Sequence, residues 1–234
     1  MEEVLARLSA VTDASPYGYV VTPNVDHVVR LDDPQERAEL LPLYEQADLS
    51  LCDSRIIAHL GRLRGLSLPL VPGSDLTARL FAEVIRPGNR IAVVGGSRAM
   101  VAELQRRYPG VNLLHYEAPM GLRRNEAARI EAARFVAEAK PRFTFIAVGS
   151  PQQELIADAV RAFPGATGMA FCIGASLDFI TGHERRAPKV LQRLSLEWVH
   201  RLASDPKRLW RRYLVEGPRI FVMAARPHQG IAKP

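Results

Sequence analysis

Residues 143–154 read Phe-Thr-Phe-Ile-Ala-Val-Gly-Ser-Pro-Gln-Gln-Glu, and this stretch decides the fold. Its first half, Phe143–Val148, is a short apolar run rich in aromatic and β-branched residues. Such a run is typical of a strand that is buried on both faces of a parallel sheet. Gly149-Ser150-Pro151 interrupts the run, and an amphipathic stretch then continues to Phe163. Strand-to-helix turns of this kind lie at the carboxyl edge of an α/β sheet, where ligands bind.

Two interpretations of this turn are open. Ser150 as N-cap with Pro151 at the first helical position would explain the serine and the proline as an ordinary helix start. It would not explain two adjacent amides and a carboxylate at Gln152, Gln153 and Glu154. We therefore expect these three residues to line a ligand site.

Further strands and helices alternate along the chain. Apolar runs predict strands at residues 17–21, 49–52, 90–94, 111–115, 143–148 and 168–173, with helical segments between them. Asn24, Asp33 and Asp75 each stand where they could cap one of these helices. The spacing is that of βαβ units, so we predict an α/β fold with a largely parallel, doubly wound sheet.

The composition changes after about residue 183, where the chain becomes helical, strand-poor and basic. We predict a core of residues 1–195 and a basic helical C-terminal appendage of residues 196–234. Arginines of the appendage interleave with Trp210, Tyr213 and Phe221, a pattern that favours binding to an anionic membrane surface. A solvated basic face over a buried apolar stripe is the alternative interpretation of this pattern.

Charge and cysteine content limit the class of protein. The chain has 234 residues, a formal net charge of +6 and a sequence pI of about 9.7, so an acidic partner is expected: nucleic acid, a nucleotide or an anionic membrane. Cys52 and Cys172 lie in apolar runs and are interpreted as buried free thiols in a reducing compartment. Neither a secretory signal nor an apolar run of the ~20 residues needed to span a bilayer is found.

Polar residues follow several predicted strands, and all should gather at one edge of the sheet. Thr22 and Asn24 follow the first strand, and Asp53 follows the second. Asp53 is either an N-cap or a general base whose pKa an apolar neighbourhood would raise. Gly95-Gly96 before a helix resembles a phosphate-binding turn, although a plain tight turn explains it equally well. The six histidines are scattered, and we predict no metal site and no cofactor.

Several stretches together resemble the WecG/TagA/CpsF family of glycosyltransferases, which is glycosyltransferase family 26. They are Thr22-Pro-Asn24, Ala47-Asp48 with Asp53, Gly73-Ser-Asp-Leu76, Val94-Gly-Gly96, Tyr108-Pro109, Gly149-Ser-Pro-Gln-Gln-Glu154, Gly174-Ala-Ser-Leu-Asp-Phe179, Arg186-Ala-Pro188, Leu196-Glu-Trp198 and Asp205-Pro206. Their order and spacing cover nearly the whole chain. The resemblance implies a Rossmann-like core with a C-terminal appendage.

The resemblance also implies an activity and its partners. It implies inverting transfer of a hexosyl group from a UDP-sugar to a polyprenyl-diphosphate-linked saccharide, in bacterial exopolysaccharide biosynthesis. Because no pair of carboxylates in the sequence is placed to hold Mg²⁺ on a diphosphate, we expect the transfer to be metal-independent. The enzyme would lie in the cytoplasm, peripherally on the inner face of the cell membrane. By position, Asp53 matches the family's base, and Thr22, Asn24 and Gln153 match its pocket residues. Further substrate-binding residues are the appendage arginines thought to close on the diphosphate, Arg201, Arg208 and Arg211.

Two other functions compete with this one. A nicotinamide-dependent oxidoreductase with a Rossmann-like domain would need a dinucleotide fingerprint at its first strand-helix unit, and the chain lacks one. A nucleic-acid-binding module would suit the charge, but no RNA- or DNA-binding motif is found. We therefore expect no nucleic acid among the partners, and a homo-oligomer is left open.

Overall fold

The computed structural model describes residues 1–184, 187–188, 191 and 196–226, except for the side chain of Arg208. Its sheet contains β1 (Gly18–Val21), β2 (Leu49–Ser50), β3 (Arg90–Gly95), β4 (Asn112–Tyr116), β5 (Phe143–Ala147) and β6 (Met169–Cys172). Every pairing in this sheet is parallel, and the strand order is β2-β1-β6-β5-β3-β4. The predicted α/β fold with a parallel, doubly wound, Rossmann-like sheet is confirmed.

Helices follow almost every strand. They are α1 (Glu2–Ser9), α2 (Val25–Arg30), α3 (Pro34–Glu45), α4 (Arg55–Leu63), α5 (Gly73–Arg79, continued by a π-helical turn at Leu80–Val84), α6 (Arg98–Arg107), α7 (Glu126–Ala139), α8 (Gln152–Val160), α9 (Ser176–Thr181), α10 (Glu197–Ser204), α11 (Pro206–Trp210, continued by a π-helical turn at Arg211–Glu216) and α12 (Arg219–Ala225). The sequence patterns did not predict α1 or α9.

The sheet has a different apolar layer on each face. Phe145 of β5 stacks between Phe81, at 5.1 Å between ring centroids, and Phe171, at 5.2 Å. This aromatic layer lies under α1, α5 and α6, whereas small residues of α7 and α8 cover the other face around Ile146 and Cys172. Each fully buried phenylalanine contributes on the order of 2–3 kcal/mol. Burial on both faces therefore explains the near-continuous apolar run of β5.

Two of the predicted helix caps are confirmed and two are wrong. The side chain of Asn24 accepts a hydrogen bond from the Asp26 N–H at 3.0 Å, and Asp33 accepts one from the Gln35 N–H at 2.9 Å. Asp75 is not a cap, because α5 already begins at Gly73 and Asp75 lies inside its first turn. Ser150, which one of the two interpretations of its turn made a cap, is not one either, because Pro151 is the residue directly before α8.

The appendage helices lie against α2 and the end of α4. Arg219 and Arg226 both pair with Asp32 at the end of α2, and Arg64 donates hydrogen bonds to the carbonyls of Ala224 and Arg226. Inside this contact, the side chain of Ile220 is buried. The boundary at residue 195 between core and appendage stays a prediction.

Candidate active site

The turns that follow β1, β2 and β6 are held together by hydrogen bonds. The Asp53 N–H donates to the Pro23 carbonyl at 3.0 Å, and the Thr22 hydroxyl donates to the Cys172 carbonyl at 3.0 Å. A Cβ on Gly73 would lie 3.1 Å from the Thr22 hydroxyl oxygen, so the start of α5 closely approaches the same place. The structure thus brings Thr22 and Asp53 together at the carboxyl edge of the sheet.

Asp53 does not cap the helix that follows it. The hydroxyl of Ser54 performs that role, accepting a hydrogen bond from the Ile57 N–H at 3.3 Å. The Asp53 carboxyl lies instead against the first turn of α5, where the Gly73 amide is near it. The capping interpretation, which competed with a chemical role for this residue, therefore does not hold.

The surroundings of Asp53 bring its pKa near neutrality. Burial raises the pKa to about 7, and the nearby carboxylates of Glu197 and Asp75 act in the same direction. The Arg201 guanidinium and the Gly73 amide oppose this rise because they stabilise the charged form. A carboxyl with this pKa releases and accepts a proton at neutral pH, as a general base must.

The three predicted appendage arginines differ in their positions. Arg201 of α10 is close enough to lower the pKa of Asp53, and its guanidinium lies 5.4 Å from the centroid of the Phe179 ring. Arg211 instead pairs with Glu216 at 3.1 Å, and its side chain is 73% exposed. The side chain of Arg208 lies outside the described part of the chain. Of the two predicted arginines whose side chains the structure describes, Arg201 is therefore the one that lies near Asp53.

The Gly95-Gly96 turn depends on glycine for conformational and steric reasons. The φ angles are +82° and +73°, a region that side chains rarely adopt. A Cβ on Gly95 would lie 2.5 Å from a Val148 methyl group, and one on Gly96 would lie 2.1 Å from the Met100 methyl group. The next residue, Ser97, caps α6 by accepting from the Met100 N–H at 3.1 Å. The backbone of this turn is therefore accessible at the sheet edge, because neither glycine has a side chain that would cover it.

Gln153 and Glu154 lie beneath this edge. The Gln153 carbonyl oxygen accepts from the Gly174 N–H at 2.9 Å, and its amide donates to Glu154 Oε1 at 2.8 Å. Both side chains are buried, whereas the neighbouring Gln152 is partly exposed at the start of α8. Of the Gln-Gln-Glu run, Gln152 is therefore the residue that is accessible from the surface.

A buried histidine extends this network to β1. His27 Nδ1 accepts from the Asn24 N–H at 3.0 Å, so the ring proton is on Nε2, which lies 3.6 Å from Glu154 Oε1. Burial lowers the pKa of His27 to about 4 and raises the pKa of Glu154, so desolvation favours the neutral form of each. The network joins the turns after β1, β5 and β6. Sequence reasoning missed His27, although it occupies the capping-box position three residues after Asn24.

Two further properties concern the described residues as a whole. In residues 1–184, 187–188, 191 and 196–226, no three histidine, cysteine, aspartate or glutamate side chains are grouped so that they could hold a metal ion. Within the same residues, no helix combines the length and apolarity that crossing a bilayer requires. Both cysteines are free thiols; Cys172 is buried, as predicted, and Cys52 is half-buried.

Comparison with known proteins gives a family match over almost the whole sequence. A family model described as "Glycosyl transferase WecG/TagA/CpsF family" matches residues 1–231. A curated relative from Bacillus spizizenii, named N-acetylglucosaminyldiphosphoundecaprenol N-acetyl-beta-D-mannosaminyltransferase, is 28% identical over 229 residues. The aligned region covers 95% of this chain and 84% of that relative.

Replacing Asp53 with asparagine should stabilise the fold at high pH. Because the folded-state pKa of about 7 exceeds the ordinary value of 3.8, folding becomes less favourable as pH rises from about 4 to 7, and the full cost remains above pH 7. Asp53→Asn removes that cost, so we expect a gain in the free energy of unfolding of about 1–3 kcal/mol at pH 8, and a smaller gain at pH 5. Urea denaturation at both pH values measures the difference.

The exposed residue Asp13 provides a matched control. Asp13→Asn should give a stability change that is small and similar at the two pH values. A loss of stability at pH 8 in Asp53→Asn, or an equal change at pH 5 and pH 8, would contradict the assigned environment of Asp53.

Proposed function

We propose that this chain, which belongs to the WecG/TagA/CpsF family of glycosyl transferases, moves a hexosyl group from a UDP-sugar to a polyprenyl-diphosphate-linked saccharide with inversion at the anomeric carbon. The observation that carries the proposal is the half-buried Asp53 carboxyl near Arg201 at the carboxyl edge of the sheet. A carboxyl with a pKa near 7 suits a single general base, which is what an inverting transfer requires.

In the proposed reaction, Asp53 removes the proton from an acceptor hydroxyl as that oxygen attacks the anomeric carbon of the donor. The new carbon–oxygen bond forms on the face opposite the leaving group. The bond to the nucleotide diphosphate breaks at the same time, and UDP leaves with the bonding electron pair. The proton remains on Asp53 until it is released to solvent. Arg201 is near enough to stabilise negative charge that develops beside the base.

We assign the donor diphosphate to the Gly95-Gly96 turn. Its bare backbone and the start of α6 offer N–H groups, which attract phosphate oxygens at a helix N-terminus. Asn24 and Gln152, which are partly exposed, would then contact the sugars at the neighbouring strand ends. Thr22 would act by holding the turns after β1 and β6 together, because its side chain is buried and its hydroxyl donates to the Cys172 carbonyl. Gln153 and Glu154 would support this wall from below, because both are buried.

We assign the acceptor class from the relative. That protein's name describes transfer of an N-acetylmannosaminyl group to N-acetylglucosaminyldiphosphoundecaprenol. The proposed acceptor of this chain is likewise a sugar linked to a polyprenyl diphosphate, and the product would enter a cell-surface polysaccharide. This supports glycosyl transfer over a nicotinamide-dependent oxidation, which the sequence left as the alternative.

The appendage would act on the leaving diphosphate and on the membrane. We propose that residues 196–234 form it, with Arg208 and Arg211 joining Arg201 when nucleotide is bound. The side chains of Trp210 and Phe221 are 51% and 55% exposed, so apolar groups lie on the surface of a basic segment. Each basic residue near an anionic bilayer contributes about 1 kcal/mol, and several together support reversible peripheral attachment to the inner face of the membrane.

The activity of Asp53→Asn tests the proposed base. Loss of a general base lowers turnover by about 10²–10⁴-fold, whereas binding of UDP should change little because the side chain keeps its shape. Turnover with a UDP-sugar and a lipid-diphosphate acceptor, and UDP binding by calorimetry, are measured on the same preparation. Near-normal turnover in this variant, or loss that appears only in Asp75→Asn, would contradict the assignment.

A second experiment tests metal independence. Arginines and helix N-termini, rather than Mg²⁺, are proposed to meet the charge of the leaving diphosphate. Turnover should therefore remain within about twofold after EDTA treatment and should not rise on addition of Mg²⁺ or Mn²⁺. Activity that disappears in EDTA and returns with either ion would contradict this part of the proposal.

A further inference from the structure

We propose that the loop after α4 is a second membrane-contact segment, which combines with α12 into one surface for anionic lipid. We call residues 63–68 the α4 loop; its first residue, Leu63, is also the last residue of α4. The inference rests on the proposed function, because it specifies how the enzyme meets a lipid-linked acceptor. It concerns residues of the core that lie far in sequence from the appendage.

The α4 loop exposes a cluster of leucines. The side chains of Leu63, Leu66 and Leu68 are 71%, 56% and 37% exposed. Single exposed leucines are common on soluble proteins, but several in one short loop form a patch that indicates an interaction site. The loop is therefore expected to be covered by a partner or a lipid surface.

The α4 loop is continuous with the exposed face of the appendage. The guanidinium of Arg64 donates hydrogen bonds to the carbonyls of Ala224 and Arg226 at the end of α12. On α12 itself, Phe221 and Val222 are 55% and 61% exposed. The exposed leucines of the α4 loop and the exposed Phe221 and Val222 of α12 thus lie on either side of the hydrogen bonds that Arg64 makes.

The charge of both segments selects anionic lipid as the occupant. Residues 54–74 contain no aspartate or glutamate but carry Arg55, Arg62 and Arg64, and residues 217–226 are likewise free of acidic side chains. Arginine side chains can lay their apolar stems along the hydrocarbon boundary while their charges contact lipid phosphates. A second copy of this chain, docked through the same face, would instead bring two basic surfaces together, which is unfavourable.

The direction of α4 connects this surface to the reaction. Asp53 immediately precedes Ser54, the N-cap of α4, and the α4 loop begins at the other end of the helix. Nine helical residues, Arg55–Leu63, span about 13 Å at 1.5 Å per residue. If the α4 loop contacts the membrane, Asp53 would thus be held about 13 Å, the length of α4, from the lipid headgroups. A saccharide carried on a diphosphate headgroup can bridge that gap.

The test is a double variant, Leu63→Gln with Leu66→Gln, in the full chain. Met120→Gln is the matched control, because Met120 is 96% exposed but belongs to a different loop. Vesicle sedimentation is measured with phosphatidylcholine–phosphatidylglycerol vesicles and with phosphatidylcholine alone. Turnover is measured with a short-chain, water-soluble diphosphate acceptor, and the oligomeric state is measured by light scattering.

We expect the double variant to bind the anionic vesicles about tenfold or more weakly than the wild type, because two leucines no longer enter an apolar environment. The Met120→Gln control should bind as the wild type does. Turnover of the soluble acceptor should stay within about twofold, since the loop lies at the far end of α4 from Asp53.

Two results would overturn the inference. One is unchanged binding of the double variant to anionic vesicles. The other is a lower oligomeric state of the double variant without vesicles, which would identify the loop as a contact between copies of the chain. A wild type that binds anionic vesicles but turns over no acceptor would contradict the proposed function instead, so the two failures can be told apart.

Discussion

Desolvation of the Asp53 carboxyl is the interaction on which the proposed site depends. Parallel strands β1 and β2 end at the same edge, and Gly73 at the start of α5 lies against Thr22, after β1, and near the Asp53 carboxyl, after β2. This enclosure raises the pKa of Asp53 to about 7, while Arg201 limits the rise. The raised pKa lowers the stability of the fold at neutral pH, and it leaves a carboxyl that can exchange a proton at that pH, as the proposed function requires.

A second buried group gives the site its shape. Glu154 accepts a hydrogen bond from Gln153, which in turn holds the Gly174 turn, and His27 connects Glu154 to the turn at Asn24. These contacts join three neighbouring strand ends across the sheet. Buried polar contacts of this kind are directional, so they fix the relative positions of the strand ends more specifically than apolar packing alone. The partly exposed residues of the candidate pocket are therefore built on a rigid base.

Local patterns in the sequence predicted most of the fold. The apolar run of β5 and the βαβ spacing predicted the parallel sheet, and Asn24 and Asp33 predicted two helix starts. These predictions succeeded because each signal depends on a few neighbouring residues. The wrong caps at Asp75 and Ser150 have one cause. In both places a proline, Pro72 or Pro151, occupies the position immediately before the helix, so the helix begins at the residue that follows the proline.

The site was predicted only in part, because burial depends on contacts between distant segments. Asp53 was identifiable from its place after a strand, but only the structure shows that Ser54 caps α4 and that Asp53 does not. The amides at Gln152 and Gln153 look equivalent in sequence, yet it is the Gln153 side chain that accepts a hydrogen bond from Gly174, in the turn after β6. Similarly, no feature of the neighbouring sequence distinguishes Arg201, which lies near Asp53, from Arg211, which pairs with Glu216 in its own helical segment.

The pH dependence of kcat/KM for the wild type and for Arg201→Gln tests the central claim most directly. If Asp53 is the base, wild-type kcat/KM should rise with pH through an apparent pKa of about 7, because only the carboxylate accepts a proton. Removing the Arg201 charge should move that apparent pKa upward, whatever it does to the maximal rate. A wild-type profile that is flat across neutral pH, or an apparent pKa unchanged in Arg201→Gln, would contradict the pairing of Asp53 with Arg201.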